Sequence, residues 1–345
     1  MSNAAPTRGA SKSDSPGRLA WRAFRHRRSA RLATAVLVVV GGLALLAPLL
    51  PLAAPSAVHL DAKLRGPTFT AIEGAAFDAA EIKDPGRLTG WLLSARVAVF
   101  GSWELPPLFG TDALGRCLLS RILWGARLSL MVGLVASIIS LIIGVGWGAV
   151  AGYAGGRTDA VLMRAVDVLY ALPLMFIVIF VVALLRGFRN AHPELDVNPS
   201  LVLFAVIGAT SWLTMARIVR GQVTSLRSAA FIDAARACGA RPTTILWRHV
   251  LPNVSPVVLV TLTLTVPRVM LFEAFLSFLG LGVEAPDVSW GVLARQGFDA
   301  LTAVHASLWL IAFPGLAFAL TLLAMNVVGD ALRDALDPRL RGERS

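Results

Sequence analysis

Apolar runs alternate with short polar stretches along this 345-residue chain. The runs fall at residues 32–54, 128–156, 168–185, 199–216, 254–267 and 306–329. The second carries no charge. The fifth is interrupted by Arg268 and Glu273 before 275–283 resumes it. A helix crossing the hydrocarbon core needs about 20 mostly apolar residues, so the pattern predicts an all-α, polytopic membrane protein with six transmembrane helices. Between the runs lie a tail at 1–31, a long loop at 55–126, short connections at 186–199 and 284–305, and a polar loop at 217–253. Residues 127–332 are expected to form a five-helix core, with 333–345 as a second tail. No internal repeat is visible.

Composition removes the rival classes. Apolar residues make up 56% and charged residues 15%, where a soluble domain carries about 25% charged residues. Two distant cysteines, Cys117 and Cys238, cannot make a disulfide scaffold. The net charge of +11 might suggest nucleic acid, but its distribution follows the membrane. With both termini inside, the inside segments hold 20 of the 32 Lys and Arg and only 8 of the 21 acids. The positive-inside rule then makes both termini cytoplasmic. The basic excess is met by anionic lipid head groups, and no nucleic acid is expected. Arg18 to Arg31 before an apolar run also resembles a signal peptide, with 52–54 or 55–57 as cleavage site. A signal core is about 7–15 residues and this run is longer, so a retained first span is expected.

The loop at 217–253 carries the strongest local signal. Phe231, Ala235 and Cys238 recur at helical spacing. Gly239 supplies a stop, and Pro242 can open a second short helix as its first residue. That helix would run through Ile245, Leu246 and His249 to Leu251, where Pro252 ends it. The result is an elbow whose stripe is too small to make a core and needs a partner surface; the plainer reading packs it on its own bundle.

Here the chain resembles a known family. Asp233-Ala234-Ala235, then Gly239, then Leu251-Pro252 is similar to the signature loop of permease subunits of ABC importers. Asp233 stands where Glu is usual, and His249 where Ile is usual. Phe109-Gly110-Thr111-Asp112-Ala113-Leu114-Gly115-Arg116, followed by Leu119-Ser120-Arg121 and Gly125-Ala126-Arg127-Leu128-Ser129-Leu130, resembles the approach to the second span of dipeptide/oligopeptide permeases. Cys117 replaces a usual Asp there. Leu276-Ser277-Phe278-Leu279-Gly280-Leu281-Gly282 with Ser289-Trp290-Gly291 agrees, as does Gly329-Asp330-Ala331-Leu332-Arg333-Asp334-Ala335-Leu336-Asp337-Pro338. The four motifs fall in family order and indicate the second of two different permease subunits.

The resemblance implies a partner set: a second permease subunit, two ATPase subunits and an extracytoplasmic binding protein. ATP and magnesium would belong to the ATPase; no cofactor, metal or catalytic residue is expected in this chain. Phe231, Asp233, Ala234, Ala235, Gly239, Leu251 and Pro252 would form the ATPase-coupling loop, with the two alanines allowing close approach. Peptides are the expected cargo, with nickel or another small solute as the alternative.

Other features carry paired readings. The glycines at 151–158 imitate a phosphate loop but follow a span rather than a strand, so a turn is expected. Arg268 and Glu273 either line the pathway or meet another helix, or else snorkel at the outer interface. Arg164 and Asp167 can pair at i, i+3. Asp112 and Arg116 either gate or dock on the outside, or pack a loop. Pro173 and Pro314-Gly315 mark kinks. The five histidines lack metal-ligand spacing. An ion-coupled secondary transporter is the rival class; it wants buried carboxylates and no elbow. A membrane scaffold without transport is a third.

Overall fold

A computed structural model describes residues 22, 24–72, 76–82, 85–192, 199–301 and 307–336. Much of the 1–31 tail, the middle of the 186–199 connection, the start of the sixth run at Ala306, and Asp337-Pro338 of the last motif lie outside the described residues. The described chain is helical apart from loops, 3-10 turns and one isolated bridge, between Thr111 and Cys117.

In chain order the α-helices are α1 Arg28–Leu46, α2 Arg87–Phe100, α3 Leu118–Ala154, α4 Gly156–Ala171, α5 Leu174–Ala191, α6 Pro199–Arg227, α7 Ala230–Ala237, α8 Pro242–Ile245, α9 Leu251–Phe278, α10 Trp290–Asp299 and α11 Trp309–Leu336. Five continuous helical stretches are long and apolar enough to cross a membrane, or six with the bent pair α4–α5. The expected set is recovered with three changes of shape.

First, the run expected from 128 begins at Leu118. Arg121 and Arg127 then sit inside a helix, where Asp112 and Thr89 receive them at 2.5 and 2.8 Å. Second, the third run straddles a break: α4 and α5 meet at 83°. Pro173 has no N–H to offer and forces Leu172 to extended geometry (ψ 139). A full corner replaces the expected kink. The Arg164–Asp167 pair does not form; Asp167 instead accepts from Arg217 of α6 at 2.8 Å. Third, the fifth run is uninterrupted. α9 passes straight through Arg268 and Glu273.

The 37-residue α3 and α6 form the longest seam in the bundle. Gly144, Gly148 and Gly152 recur every four residues on its face. A Cβ at Gly144 would lie 2.6 Å from Met215 Cβ, and one at Gly152 would lie 2.7 Å from the Arg220 carbonyl. Small residues at this spacing let two apolar helices touch backbone to backbone where lipid supplies no hydrophobic drive. Gly155 and Gly156, both at positive φ, make the turn from α3 to α4, so the phosphate-loop imitation is an inter-helix corner.

The described residues between 47 and 117 pack at one end of the bundle. Their anchor is Arg96 of α2, which is fully buried. Its guanidinium donates to the carbonyls of Leu50, Leu52, Gly101 and Trp103 and lies 3.3 Å from the Phe77 ring centroid. At the opposite end Arg27 and Asp334 pair at 2.5 Å, placing the start of α1 beside the end of α11. Arg333 to Leu336 continue α11 rather than opening the tail.

Candidate functional site

The elbow is built from the end of α6 onward. α7 has no side-chain cap at its start; Asp233 sits in its first turn, close to the free N–H groups, and Arg236 in its last. The two pair at 2.9 Å. At its end, Ala240 N–H reaches the Ala235 carbonyl at 3.1 Å and Gly239 N–H reaches Arg236 at 2.9 Å. This is the two-bond αL termination of a helix, and it requires the φ of +76° that Gly239 adopts. Arg241 is extended (ψ 146) and Pro242 opens α8 as its first residue.

α8 does not stop at Pro252. Residues Leu246–Val250 widen into a π turn, and the helix continues as α9. Pro252 cannot donate to residue 248, and its ring crowds that carbonyl; the wider turn relieves both problems. Ser255 Oγ donates to the Pro252 carbonyl at 2.8 Å, the acceptor that Pro256 leaves without a partner.

Only part of the expected stripe faces inward. Ile232, Ile245 and Val250 are fully buried against Val219 and Val223 of α6, with Ala235 packed partly behind them. Phe231 remains 43% exposed and Cys238 is also exposed. In an eight-residue helix two adjacent faces can satisfy the spacing, and the larger aliphatic surface of Ile232 takes the inner one. Asp233, Ala234, Pro252 and Trp247 join Phe231 outside, while Leu251 is half-buried. The elbow is thus fastened to the bundle on one side and open on the other.

Asp112 and Arg116 come together at 2.7 Å in a larger cluster. Asp112 also accepts from buried Arg121 at 2.5 Å and from the Leu114 and Arg116 amides. Gln296 of α10 accepts from Arg121 at 2.7 Å. A loop, a long helix and a short one are clamped by one carboxylate. Arg121 stood in the sequence motif, whereas Gln296 carried no local signal.

Glu273 is fully buried. Its Oε1 accepts from Ser277 at 2.6 Å, while Oε2 has no partner among the described residues. Around it, Ser289 caps α10 through the Val292 amide, and Trp290 donates to Ser129 and to the Ile122 carbonyl of α3. A Cβ on Gly291 would lie 2.6 Å from Ala274 Cα. The Ser289-Trp290-Gly291 motif therefore knits α10 onto α9 and α3.

Arg268 points elsewhere. It is exposed on a cavity of about 400 Å³ with Tyr170, Thr210, Ser211, Thr214 and Thr265. Neither Arg268 nor Glu273 pairs with the other.

The pattern of the binding-protein-dependent transport system inner membrane component matches residues 144–342, and that of the N-terminal TM domain of oligopeptide transport permease C matches 15–67. The oligopeptide transport system permease protein OppC of Bacillus subtilis is 44% identical over 68% of this chain and 72% of its own length. The dipeptide transport system permease protein DppC of the same species is 43% identical over 69% and 72%. OppC of Escherichia coli is 43% identical over 68% and 72%. Among solved structures, the inward-facing MetNI methionine ABC transporter aligns with a TM-score of 0.51 at 17% identity, covering 64% of this chain and 98% of that one, which speaks to the fold alone. With a helical bundle, an open elbow and family matches at both ends of the sequence, the chain belongs to the binding-protein-dependent transport system inner membrane components, in the oligopeptide and dipeptide permease branch.

Proposed function

We propose that this chain is the permease subunit of an ATP-driven importer that carries peptides across a bacterial cytoplasmic membrane. It works as the second of two different permeases, with two ATPase subunits and an extracytoplasmic binding protein. ATP hydrolysis resides in the partner ATPase. The observation that carries this reading is the elbow, rigidly seated on α6 yet open along Phe231, Asp233 and Ala234, in a chain whose relatives are named as peptide permeases. Asp233, Ala234, Ala235, Gly239, Leu251 and Pro252 act with Phe231 as the coupling loop. Phe231 and Ala234 offer the apolar contact, Asp233 the charge, Gly239 the turn, and half-buried Ala235 the close packing beneath. Asp112 and Arg116 hold the outer cap in shape beside the binding-protein side.

Both termini are cytoplasmic. The charge distribution supports this, and so does the contact of Arg27 with Asp334, which puts the start of α1 and the end of α11 on one face. On closure of the ATPase dimer the elbow moves with its partner, and the bundle exchanges inward-facing for outward-facing geometry through contacts that differ between the two states.

The test is co-expression of the tagged chain with its neighbouring genes and purification in mild detergent. Recovery of a second permease and an ATPase, and ATP-dependent uptake of a tripeptide by proteoliposomes with the binding protein, are expected. A well-folded chain that brings no ATPase would refute the reading and favour an ion-coupled transporter.

A further inference from the structure

The Arg268 cavity has an uneven inventory of hydrogen-bonding groups. Thr210 and Ser211 both donate their hydroxyl protons to the Ile207 carbonyl, at 2.9 and 2.8 Å. Thr265 donates to Thr261 at 2.8 Å. Tyr170 and Thr214 share one hydrogen bond at 2.6 Å. The hydroxyl oxygens of Thr210, Ser211 and Thr265 are therefore left as acceptors, while the Tyr170–Thr214 pair keeps one proton to give. The neighbouring cation Arg217 is already committed to Asp167 and to the Tyr170 ring, 3.9 Å away. Arg268 alone offers a free fork of N–H donors; among the described residues nothing pairs with it.

Arg268 sits inside an apolar helix, away from either of its ends. Arg268 lies about 15 Å along α9 from Phe278 and about 25 Å from Leu251. Thr210 to Thr214 are in the middle of α6. An ionised side chain at such depth faces an aqueous cavity or an opposite charge, and a guanidinium matches a carboxylate in bidentate geometry. The volume of about 400 Å³ falls in the range of small-molecule sites.

We propose that Arg268 receives the carboxylate of the peptide in transit, while the hydroxyl oxygens of Thr210, Ser211 and Thr265 accept from its amide N–H groups. A largely apolar wall, with Met175, Leu271, Phe272 and Phe275 beside a few hydroxyl acceptors and one guanidinium, fits a peptide whose carboxylate meets Arg268. This inference rests on the peptide-importer reading. Arg268 is then a selectivity element inside the membrane, separate from the choice made by the binding protein.

The test uses the assembled transporter in proteoliposomes, with the binding protein loaded to equal occupancy with trialanine or with trialanine C-terminal amide. Wild type should carry the free acid faster. Arg268→Gln should slow the acid roughly fivefold to tenfold and leave the amide rate unchanged. Arg268→Lys keeps the charge without the fork and should fall between, providing the readout if the Gln variant fails to assemble. An unchanged acid-to-amide ratio in both variants would overturn the inference. So would an equal loss of both substrates, which is the signature of Arg268 pairing with a carboxylate of the second permease. Wild type that carries neither form would overturn the importer reading itself, and this one with it.

Discussion

Gly239 offers the sharpest separation of turn geometry from bulk. A Cβ there would meet nothing within 4 Å, so substitution creates no clash. The whole effect must come from the backbone, held at φ +76°. For an L-residue this left-handed conformation costs about 1–2 kcal/mol, and less for Asn, whose short amide tolerates it. A penalty of that size shifts the population of the turn by a factor of about 5–30. Gly239→Ala should therefore leave membrane insertion and expression intact while lowering binding-protein-stimulated ATPase activity and peptide uptake by roughly that factor. Gly239→Asn should lose about half as much in free-energy terms. Both rates are measured on the reconstituted complex, with insertion checked by detergent extraction and gel filtration. Ala equal to wild type, or Asn worse than Ala, would refute the claim that this φ sets the elbow.

Three further outcomes are expected. Maleimide should label exposed Cys238 at once but Cys117 only after unfolding in SDS, since burial both shields that thiol and pushes its pKa up; binding of the ATPase should then protect Cys238. Asp112→Asn leaves the buried Arg121 guanidinium without its anion and should destabilise by about 3–5 kcal/mol, seen as a lower Tm in detergent, whereas Asp299→Asn, at an exposed 3.6 Å pair, should change little. Ile232→Ala should cost about 2–5 kcal/mol locally and raise the protease sensitivity of the elbow before that of the bundle.

The six runs were legible because a membrane span is a length of apolar residues and needs no tertiary knowledge. Where the reading slipped, the missing information was non-local. The third run looked continuous because 168–185 stays apolar across Pro173, and only packing on α6 reveals the corner. The fifth looked broken because two charges interrupt its apolar run; Ser277, one turn on from Glu273, was legible in the sequence, whereas the cavity around Arg268, built with residues of α4 and α6, was not. Eight residues of α7 satisfy helical spacing on two faces, and Ile232 rather than Phe231 goes inward for reasons of buried area. The four-residue spacing of Gly144, Gly148 and Gly152 is a close-packing signal legible in the sequence. Arg96 had no signal at all: two of its acceptors, the Leu50 and Leu52 carbonyls, lie far away along the chain.

The glycine seam between α3 and α6 has a mechanical consequence. α3 spans roughly 55 Å, and its bonding to α6 at backbone distance makes a double strut with little internal give. The elbow is bolted to this strut through Val219 and Val223. A stiff beam transmits rotation without absorbing it: a tilt of about 5° at the elbow end displaces the far end of such a beam by about 5 Å. Softening the beam, for instance by widening the seam at Gly148, would dissipate that stroke before it reached the opposite membrane face, even with every group at both ends intact.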